Sequence, residues 1–437
     1  MQLHIGLDDT DSTSGGCTTY LAACIVEQLT KHNIRFVDYP NIIRLNPNIP
    51  YKTRGNAAVA LRLDASESQY AFIRETVLNE IEQKSKIGEK GTEPAVVILR
   101  GKPPASVKAL AERALCQVVP VKNAVNIVRK SSAEAAAYGN QLGLVGALAA
   151  VGNTIEGDHT YELIAYRKRE NCGTTRKVDR ASVIRMTSLT SPFTFSNYDE
   201  ANDRILVTPH GPDPVLVGIR GETPVIVQKG FKLVNIREPI ERWMIFRTNH
   251  GTEAHFGASK PGLVKRFCVA VLSGTVAEKP RRIMGGHVIL SLRYEQRKIT
   301  CAAYEPTGKF RDIVSALIPG DKLTVFGGTP GRRWLTVNLE KIHIHSLTDH
   351  VSLRNPTCPK CHKNLKSAGY SKGFKCDRCS ITIFQATKIP TYQDRKVRPG
   401  IYLPTAKANR HLTKPLYRYG HEKIWMRAPP SGKWHNP

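Results

Sequence analysis

Length, composition and charge exclude several classes of protein. The chain has 437 residues, 41% of them hydrophobic, and 64 Lys and Arg against 37 Asp and Glu give a formal net charge of +27. This length is enough for roughly three or four domains with their own cores, and the charge predicts a large polyanion, most simply nucleic acid, as the partner. The sequence has no apolar stretch of about 18 residues and no signal pattern, so we expect a cytoplasmic protein with no membrane partner.

The N-terminal segment 3–19 predicts a strand, an acidic loop and the start of a helix. Its apolar residues alternate as in a buried strand: Leu3, Ile5 and Leu7. Three carboxylates follow the strand: Asp8, Asp9 and Asp11. The turn formed by Gly15 and Gly16 then leads into a helix whose apolar periodicity begins at Thr19.

This arrangement favours a magnesium and nucleotide site. The N–H groups at the start of a helix attract phosphate, and clustered carboxylates provide the oxygen ligands that a hard cation prefers. The alternative is that one side chain caps the helix while the other acids lie in solvent. Three carboxylates at one strand end exceed what a cap requires, so the metal interpretation is favoured.

The loop at 46–56 carries further candidates for nucleotide contact: Lys52, Arg54 and Asn56. Cations and an amide on a proline-bounded loop suit phosphate binding, although an ordinary basic surface loop has the same composition. The surrounding pattern predicts strands at 36–46, 57–64 and 95–100 and helices at 68–83 and 105–116. Such alternation is typical of an α/β domain.

The next region predicts an α+β domain. A glycine-punctuated helix ends near residue 151, and strands are expected at 160–168 and 182–188, followed by further elements that place about two helices on a sheet. Its loops contain polar side chains that can form turns or bind a ligand: Asn197, Asp199, His210 and Asp213.

From residue 263 to about residue 342, five short strand patterns separated by Gly and Pro predict a small OB-fold β-barrel. Its cations, interleaved with aromatic residues, are candidates for nucleic-acid contact. They are Arg293, Arg297, Lys298, Arg311, Arg332 and Arg333. The alternative is a solvated barrel surface whose aromatic residues belong to the core.

Two CxxC pairs separated by fourteen residues predict a structural zinc ribbon. The ligands are Cys358, Cys361, Cys376 and Cys379. A redox dithiol or free cysteines are the alternatives. The remainder of the chain is basic, aromatic and proline-punctuated, which indicates either a tail that orders on nucleic acid or a loosely docked arm.

These motifs, in this order, resemble those of the archaeal tRNA 2-agmatinylcytidine synthetases, the TiaS family. The resemblance covers nearly the whole chain: GLDDTDSTSGGCTTYLA, RLNPNIPYKTRGN, LVGALAAVG, TYELIAYR, TFSNYD, TPHGPDPVLVGIRGE and the four ribbon cysteines. It implies a kinase-like domain at 1–125, a ferredoxin-like domain at 126–245 and an OB-fold at 246–346. A zinc ribbon at 347–386 and a basic tail at 387–437 complete the multidomain α/β and α+β architecture.

The resemblance also implies the reaction. Such enzymes phosphorylate the 2-carbonyl oxygen of the wobble cytidine in the CAU-anticodon isoleucine tRNA with ATP, and agmatine then displaces it, with release of AMP and pyrophosphate. Magnesium with ATP would bind Asp8, Asp9 and Asp11. Thr18 would be the autophosphorylated threonine. Gly15, Gly16 and Thr19 would contact the nucleotide, and the four loop polar residues would hold agmatine.

Two other functions keep most of these features. A non-catalytic single-strand binding protein would explain the charge and the zinc, but it leaves the acidic loop without a role. A tRNA-modifying enzyme with another nucleophile, such as lysine, keeps every motif and differs only in its small-molecule pocket. Dependence of the reaction on agmatine, on lysine or on neither amine would distinguish them.

Overall fold

The computed structural model describes residues 1–53, 55–331, 335–424 and 429–436. Three of the predicted contact residues lie outside these ranges: Arg54, Arg332 and Arg333. Within the described ranges, no helix is both long enough and apolar enough to cross a membrane.

The N-terminal region alternates strands and helices, as predicted. Its strands are Gln2–Asp8 (β1), Arg35–Phe36 (β2), Asn41–Arg44 (β3), Ala57–Asp64 (β4), Ala95–Arg100 (β5) and Ala133–Ala137 (β6). Its helices are Thr18–Lys31 (α1), Glu67–Lys84 (α2), Ala105–Cys116 (α3), Val121–Lys130 (α4) and Gly143–Gly152 (α5). The strand predicted at 36–46 is divided into β2 and β3, with Pro40, which has no N–H for pairing, between them.

The second region adds strands and two longer helices. Its strands are Thr160–Arg167 (β7), Thr194–Phe195 (β8), Tyr198–Asp199 (β9), Arg204–Ile205 (β10), Val215–Gly221 (β11) and Ile240–Thr248 (β12). Its helices are Arg180–Thr190 (α6), Pro224–Leu233 (α7) and the short Ala254–Gly257 (α8).

The strand predicted at 182–188 is wrong, because these residues belong to α6. The Asp179 carboxylate caps the helix by accepting a hydrogen bond from the Ser182 N–H at 3.1 Å. Val183 and Met186, three residues apart, are both fully buried in a cluster shared with α7 and the sheet. An apolar run this short does not distinguish a strand from a helix.

One large sheet joins the two regions. Its order is β6-β5-β1-β4-β3-β12-β7-β11-β8, with β2 on β4 and, from the end of the chain, His435–Asn436 (β24) on β12. The β3–β12 pair, where the regions meet, is parallel, whereas β1 pairs antiparallel with both β4 and β5. The ends of β3 and β7 therefore lie in one continuous sheet beside α1.

Both faces of the N-terminal half of the sheet are buried. One face packs against α1 and α2 through the alternating residues of β1, and the other packs against α3 and α5. Helix α5 is built of small residues, and a Cβ atom at Gly6 of β1 would lie only 2.0 Å from the Ala147 carbonyl oxygen. This close approach brings α5 directly onto β1 and its acidic end.

The third region forms a ring of paired strands. Its elements are Val269–Arg282 (β13), Val288–Tyr294 (β14), Arg297–Ala303 (β15), Phe310–Ser315 (α9), Lys322–Gly328 (β16) and Thr336–Ser346 (β17). The sheet order is β15-β14-β13-β16-β17, and β15 also pairs in parallel with β17. The pairing therefore closes on itself around a single apolar core.

Short strands make up the C-terminal region. They are His350–Arg354 (β18), Lys366–Ser367 (β19), Phe374–Cys376 (β20), Ile381–Ile383 (β21), Ile389–Gln393 (β22) and Gly400–Tyr402 (β23). Strand β23 returns the chain to β17. Residues 403–424, here called the C-terminal strap, then run back over the first two regions, where the Lys407 N–H donates to the Asp199 carboxylate at 2.9 Å.

A buried arginine fastens the strap. The Arg418 side chain is 0% exposed and forms ion pairs with Asp158 at 2.8 Å and Glu222 at 2.6 Å. We expect Arg418→Met to lower the free energy of unfolding by about 3 kcal/mol. It removes the fully buried cation from Asp158 and Glu222 and leaves them only their lysine partners, Lys414 at 3.9 Å and Lys423 at 2.8 Å. Guanidinium titration of the variant measures this loss. Arg297→Met, at an exposed arginine, is the control, and an equal effect of both changes would contradict the assignment.

Candidate active site

The acidic residues at the end of β1 form the first part of the site. Burial raises the pKa of Asp8 well above its usual value, and the negative charge of Asp9 adds to the effect. Burial also raises the pKa of Asp9 to about 6, although the hydrogen bond from the Glu93 N–H to its Oδ2, at 3.0 Å, opposes the shift. Crowded carboxylates of this kind are stabilised by a divalent cation. Among the described residues, however, only the four ribbon cysteines bring three or more such ligand atoms within 4.8 Å of one another, so the carboxylates do not converge on one point.

Helix α5 holds the Asp8 carboxylate in place. A Cβ atom at Gly146 would lie 1.7 Å from Asp8 Oδ2, so only glycine leaves room for the carboxylate. A Cβ atom at Gly143 would lie 2.5 Å from the Glu93 carbonyl oxygen. The glycines of LVGALAAVG thus serve close packing against the acidic loop.

The turn after the acidic loop leads directly into α1. Gly15 and Gly16 both have positive φ angles, as a turn of this shape requires. The Thr10 hydroxyl donates to the Thr18 Oγ1 at 3.0 Å. The first intrahelical bond is from the Leu21 N–H to the Cys17 carbonyl, so the N–H groups of the preceding residues point out of the helix end. The helix predicted after this turn is therefore present, and its role in phosphate binding stays a prediction.

Asp11 and the start of α1 face a cleft with a volume of about 270 Å³, whereas Asp8 lines a separate cavity. The cleft brings together predicted residues from both regions, namely Asp11, Thr18, Thr19 and Asp213. It also contains four residues that sequence reasoning missed, namely Arg44, Glu162, Arg220 and His411. They come from β3, β7, β11 and the strap, so their proximity exists only in the folded chain.

Three of the missed residues form a buried charge cluster. Glu162 pairs with Arg44 at 3.2 Å and with Arg220 at 2.9 Å, and its side chain is 2% exposed. Burial alone would raise the pKa of Glu162, but the positive charges of Arg220 and Arg44 outweigh it and hold that pKa well below the usual value. Two guanidinium groups on one carboxylate leave a net positive charge, which suits a phosphate or phosphoryl group.

The other predicted nucleotide contacts lie beside this cleft. Lys52 and Asn56 line an adjacent cavity of about 270 Å³, which shares Arg44 and His411 with the cleft. Asn56 also lines an apolar cavity of about 390 Å³ that reaches Asp8. The Asn56 side chain donates to the Asn46 carbonyl at 2.9 Å, and the Lys52 ammonium donates to the Pro47 carbonyl. Both side chains therefore help to hold the loop that carries them.

The four predicted agmatine residues are placed differently from one another. Asp213 lines the cleft and pairs with Arg176 at 3.5 Å. Asn197 is buried and donates to the Thr194 hydroxyl. The Asp199 carboxylate is occupied by backbone and side-chain donors of residues 201, 202 and 407. His210 is exposed and contacts Arg204. The structure thus brings only Asp213 to the cleft.

Of the predicted tRNA contacts that the structure describes, some side chains are exposed and others already bond within the protein. Arg293 and Arg297 are exposed on the β14–β15 hairpin. Lys298 is also exposed but pairs with Glu278 at 2.7 Å. Arg311 donates to the carbonyls of Gly286 and Gly308, which ties two loops together.

The four ribbon cysteines converge as predicted. Their sulfur atoms all lie within 4.8 Å of one another, and His362 and Ser380, directly after each CxxC pair, have positive φ angles of 60° and 54°. Four thiolates in this arrangement fit structural zinc with no position left for a substrate. The carbonyl of Cys358 accepts from the His362 N–H at 2.9 Å, which closes the first turn.

We expect Cys376→Ser to reduce bound zinc from about one equivalent to about a tenth of that or less, because a three-thiolate site loses affinity and the ribbon folds only around its metal. Atomic absorption on the dialysed protein measures the loss. Cys172→Ser, outside the cluster, is the control. Equal zinc in both variants would rule out the four-cysteine site.

The chain matches three family models that together cover most of its length. They are the TiaS TCKD domain at residues 4–140, the TiaS FLD domain at 141–255 and the TiaS C-terminal zinc ribbon domain at 355–397. These models belong to the same family that the sequence motifs resemble.

Similar proteins and solved structures agree with these family models. The chain is 41% identical over 417 residues to the tRNA 2-agmatinylcytidine synthetase TiaS of Pyrococcus horikoshii, and the match covers 95% of this chain and 97% of the relative. It is similar to the crystal structure of a complex of TiaS with its isoleucine tRNA and ATP, with a TM-score of 0.86, 35% identity and coverage of 96% and 97%. A complex of TiaS with the same tRNA, AMPCPP and agmatine has a TM-score of 0.83, 34% identity and the same coverage.

Proposed function

The chain belongs to the TiaS family, and from that premise we propose that it is a tRNA 2-agmatinylcytidine synthetase. It is an ATP-dependent ligase that attaches agmatine to position 2 of the wobble cytidine in the CAU-anticodon isoleucine tRNA. The product, agmatidine, lets the tRNA read AUA codons. The reaction proceeds through a cytidine phosphorylated by ATP, and this phosphate leaves when the amine of agmatine attacks. The predicted cytoplasmic location, where tRNA is found, stays a prediction.

One observation in the structure supports this proposal independently of the family resemblance. Asp11 and Thr18 share a single cleft with the Arg44–Glu162–Arg220 cluster. Phosphoryl transfer depends mainly on alignment and neutralisation of charge, and the cleft offers the start of a helix, the Asp11 carboxylate and two guanidinium groups. A non-catalytic binding protein has no need of this combination.

The roles of the site residues follow from their positions. Asp8, Asp9 and Asp11 hold magnesium with ATP, which neutralises the phosphate charge. Thr18 is the phosphoryl acceptor, and the turn of Gly15 and Gly16 with Thr19 presents N–H groups to the nucleotide. Lys52, Arg54 and Asn56 contact it from the neighbouring loop. The lining of the cleft and its adjacent cavities supports the assignments of Asp8, Asp11, Thr18, Thr19, Lys52 and Asn56.

Agmatine carries a guanidinium group at one end and an amine at the other. Its guanidinium is a good partner for a carboxylate, and Asp213, which lines the cleft together with Thr18, is the best placed of the predicted residues. Asn197, Asp199 and His210 do not line the cleft, and their role would be to hold the loops around it through their own hydrogen bonds. The positive charges of Arg44 and Arg220 disfavour a positive charge on the amine end of agmatine. They therefore favour its neutral form, which is the nucleophile.

The remaining regions bind the tRNA. We assign the kinase-like label to the N-terminal region, the ferredoxin-like label to the second region and the OB-fold label to the ring of β13 to β17, whose closed pairing supports it. Exposed Arg293 and Arg297, with Lys298, Arg311, Arg332 and Arg333, contact phosphates. The wobble base must leave the stack to react.

The amine requirement tests the proposal. Purified protein is incubated with magnesium, ATP and the CAU-anticodon transcript, together with labelled agmatine or labelled lysine. We expect incorporation of agmatine only, and none into a matched transcript whose wobble cytidine is replaced by uridine. Lysine incorporation would indicate the other nucleophile. Tight tRNA binding with no incorporation of either amine would favour a non-catalytic binding protein.

A further inference from the structure

A segment just before β5, residues 89–93, contacts the acidic loop and is here called the brace. The Thr92 hydroxyl donates to the Asp11 carbonyl oxygen at 2.9 Å, and Thr92 is only 5% exposed. The Ser14 hydroxyl donates to the Glu89 carboxylate at 2.6 Å. These partners are 81 and 75 residues apart in the chain. The contacts therefore exist only in the folded protein.

The last residue of the brace joins the acidic loop to α5. The Glu93 N–H donates to Asp9 Oδ2 at 3.0 Å. Its carboxylate accepts hydrogen bonds from the Leu142 N–H at 3.0 Å and from the Asn140 side chain at 2.8 Å. Helix α5 begins directly after Leu142 and packs against the Asp8 carboxylate. The brace thus connects the acidic loop with the helix that contacts its first carboxylate.

The acidic loop needs this support because part of its backbone is strained. Asp9 has a φ angle of 57°, in the left-handed region that residues other than glycine seldom adopt. Such a conformation persists only where the surrounding structure holds it, and it is concentrated at functional sites. The brace holds the loop at Asp9 itself and again at Asp11 and Ser14.

Thr92 acts on the cleft only through Asp11. The Asp11 side chain lines the cleft, whereas Thr92 lines neither the cleft nor the two cavities beside it. Its hydroxyl holds the backbone from which the Asp11 carboxylate projects. Because phosphoryl transfer depends on alignment of the reacting groups, a shift of this backbone should slow the reaction.

We propose, on the basis of the proposed function, that Thr92 is a positioning residue for phosphoryl transfer from ATP. Its hydrogen bond fixes the Asp11 backbone, so the Asp11 carboxylate and the turn into α1 keep one position relative to the nucleotide. Thr92 itself touches neither ATP nor the cytidine and exchanges no proton with them.

Two substitutions separate the Thr92 hydroxyl from the shape of the side chain. Thr92→Val removes the donor at nearly constant volume. We expect kcat for transcript-dependent ATP consumption to fall roughly 10- to 10²-fold, because a displacement of about 1 Å at a catalytic group commonly costs about 10²-fold. KM for ATP should stay within about threefold, since no contact with the nucleotide is removed. Thr92→Ser keeps the donor, so its kcat should stay within about threefold of wild type.

Thr307→Val is the matched control. The Thr307 hydroxyl also donates to a backbone carbonyl, that of Tyr304 at 2.7 Å, and Thr307 is 8% exposed. The control should lose about as much thermal stability as Thr92→Val and should keep the wild-type kcat. A normal kcat in Thr92→Val would overturn the proposal, and so would an equal fall of kcat in Thr92→Ser or in the control.

Amide hydrogen exchange of the free protein tests the positioning without any reaction. Peptides that cover residues 9–16 should exchange faster in Thr92→Val than in wild type, Thr92→Ser or Thr307→Val. Unchanged exchange in this segment would overturn the proposal. If the wild-type protein consumes no ATP with the transcript, the proposed function fails, whereas the exchange rates still decide whether Thr92 holds the acidic loop.

Discussion

Replacing Asp9 with asparagine is expected to lower agmatine conjugation by roughly 10²- to 10³-fold, the usual effect of removing one preorganised electrostatic group. The amide keeps an oxygen to accept the Glu93 N–H, which Asp9 Oδ2 now does at 3.0 Å. The loop should therefore keep its shape. What is lost is a negative charge at a site where burial, and after it the charges of Asp11 and Glu93, raise the pKa of Asp9 to about 6. The affinity for magnesium should fall with it.

Rates at saturating ATP over a series of magnesium concentrations measure this effect. The variant should need more magnesium and should still bind tRNA as tightly as wild type. Asp64→Asn is the matched control, because Asp64 is a half-exposed aspartate at the end of β4 and exposed ion pairs contribute little. An Asp9→Asn enzyme with normal rate and normal magnesium dependence would exclude the acidic loop as the metal site.

A single methyl group at Gly146 should be nearly as damaging. In Gly146→Ala the new Cβ atom would lie 1.7 Å from Asp8 Oδ2, so either the carboxylate or α5 must move. A displacement of about 1 Å at a catalytic group commonly costs roughly 10²-fold in rate. The helix gains about 1 kcal/mol from alanine in place of glycine, but overpacking a buried contact costs about 1–3 kcal/mol. The net change in stability should therefore be small beside the loss of activity.

The conjugation rate and the melting temperature of the same preparation show whether Gly146→Ala loses activity while it keeps its stability. Gly157→Ala is the control, because a Cβ atom there meets nothing within 4 Å, and it should be neutral for activity. Equal activity of Gly146→Ala and wild type would show that Asp8 is not held by α5. A variant that loses rate only because it unfolds would show a lower melting temperature, which the proposed packing does not predict.

The sequence correctly predicts those elements whose signal lies within the element itself. The strand of alternating apolar residues at β1, the helix α1 and the strands at 57–64 and 95–100 agree with the structure. The ribbon cysteines converge as their spacing predicts. Each of these signals lies within a few residues of its own element, so tertiary context was not needed to interpret it.

Signals that depend on distant parts of the chain were missed. Arg44, Glu162 and His411 are ordinary residues in their own segments, and only the β3–β12 junction and the return of the strap bring them together. The composition of the C-terminal segment predicts a tail or a loose arm, but Arg418 is fully buried and pairs with two acids far away in sequence. The apolar run of α6 predicts a strand, because a run this short does not distinguish a strand from a helix.

The nucleoside at the wobble position tests the central claim most directly. The CAU-anticodon transcript is incubated with the protein, magnesium, ATP and agmatine, then digested, and the fragment containing the anticodon is analysed by mass spectrometry. We predict that the wobble cytidine gains the mass of agmatine less one water, and that Asp9→Ala leaves it unchanged. An unmodified wobble cytidine, or agmatine attached at another position, would contradict the assignment of this chain as an agmatidine-forming synthetase.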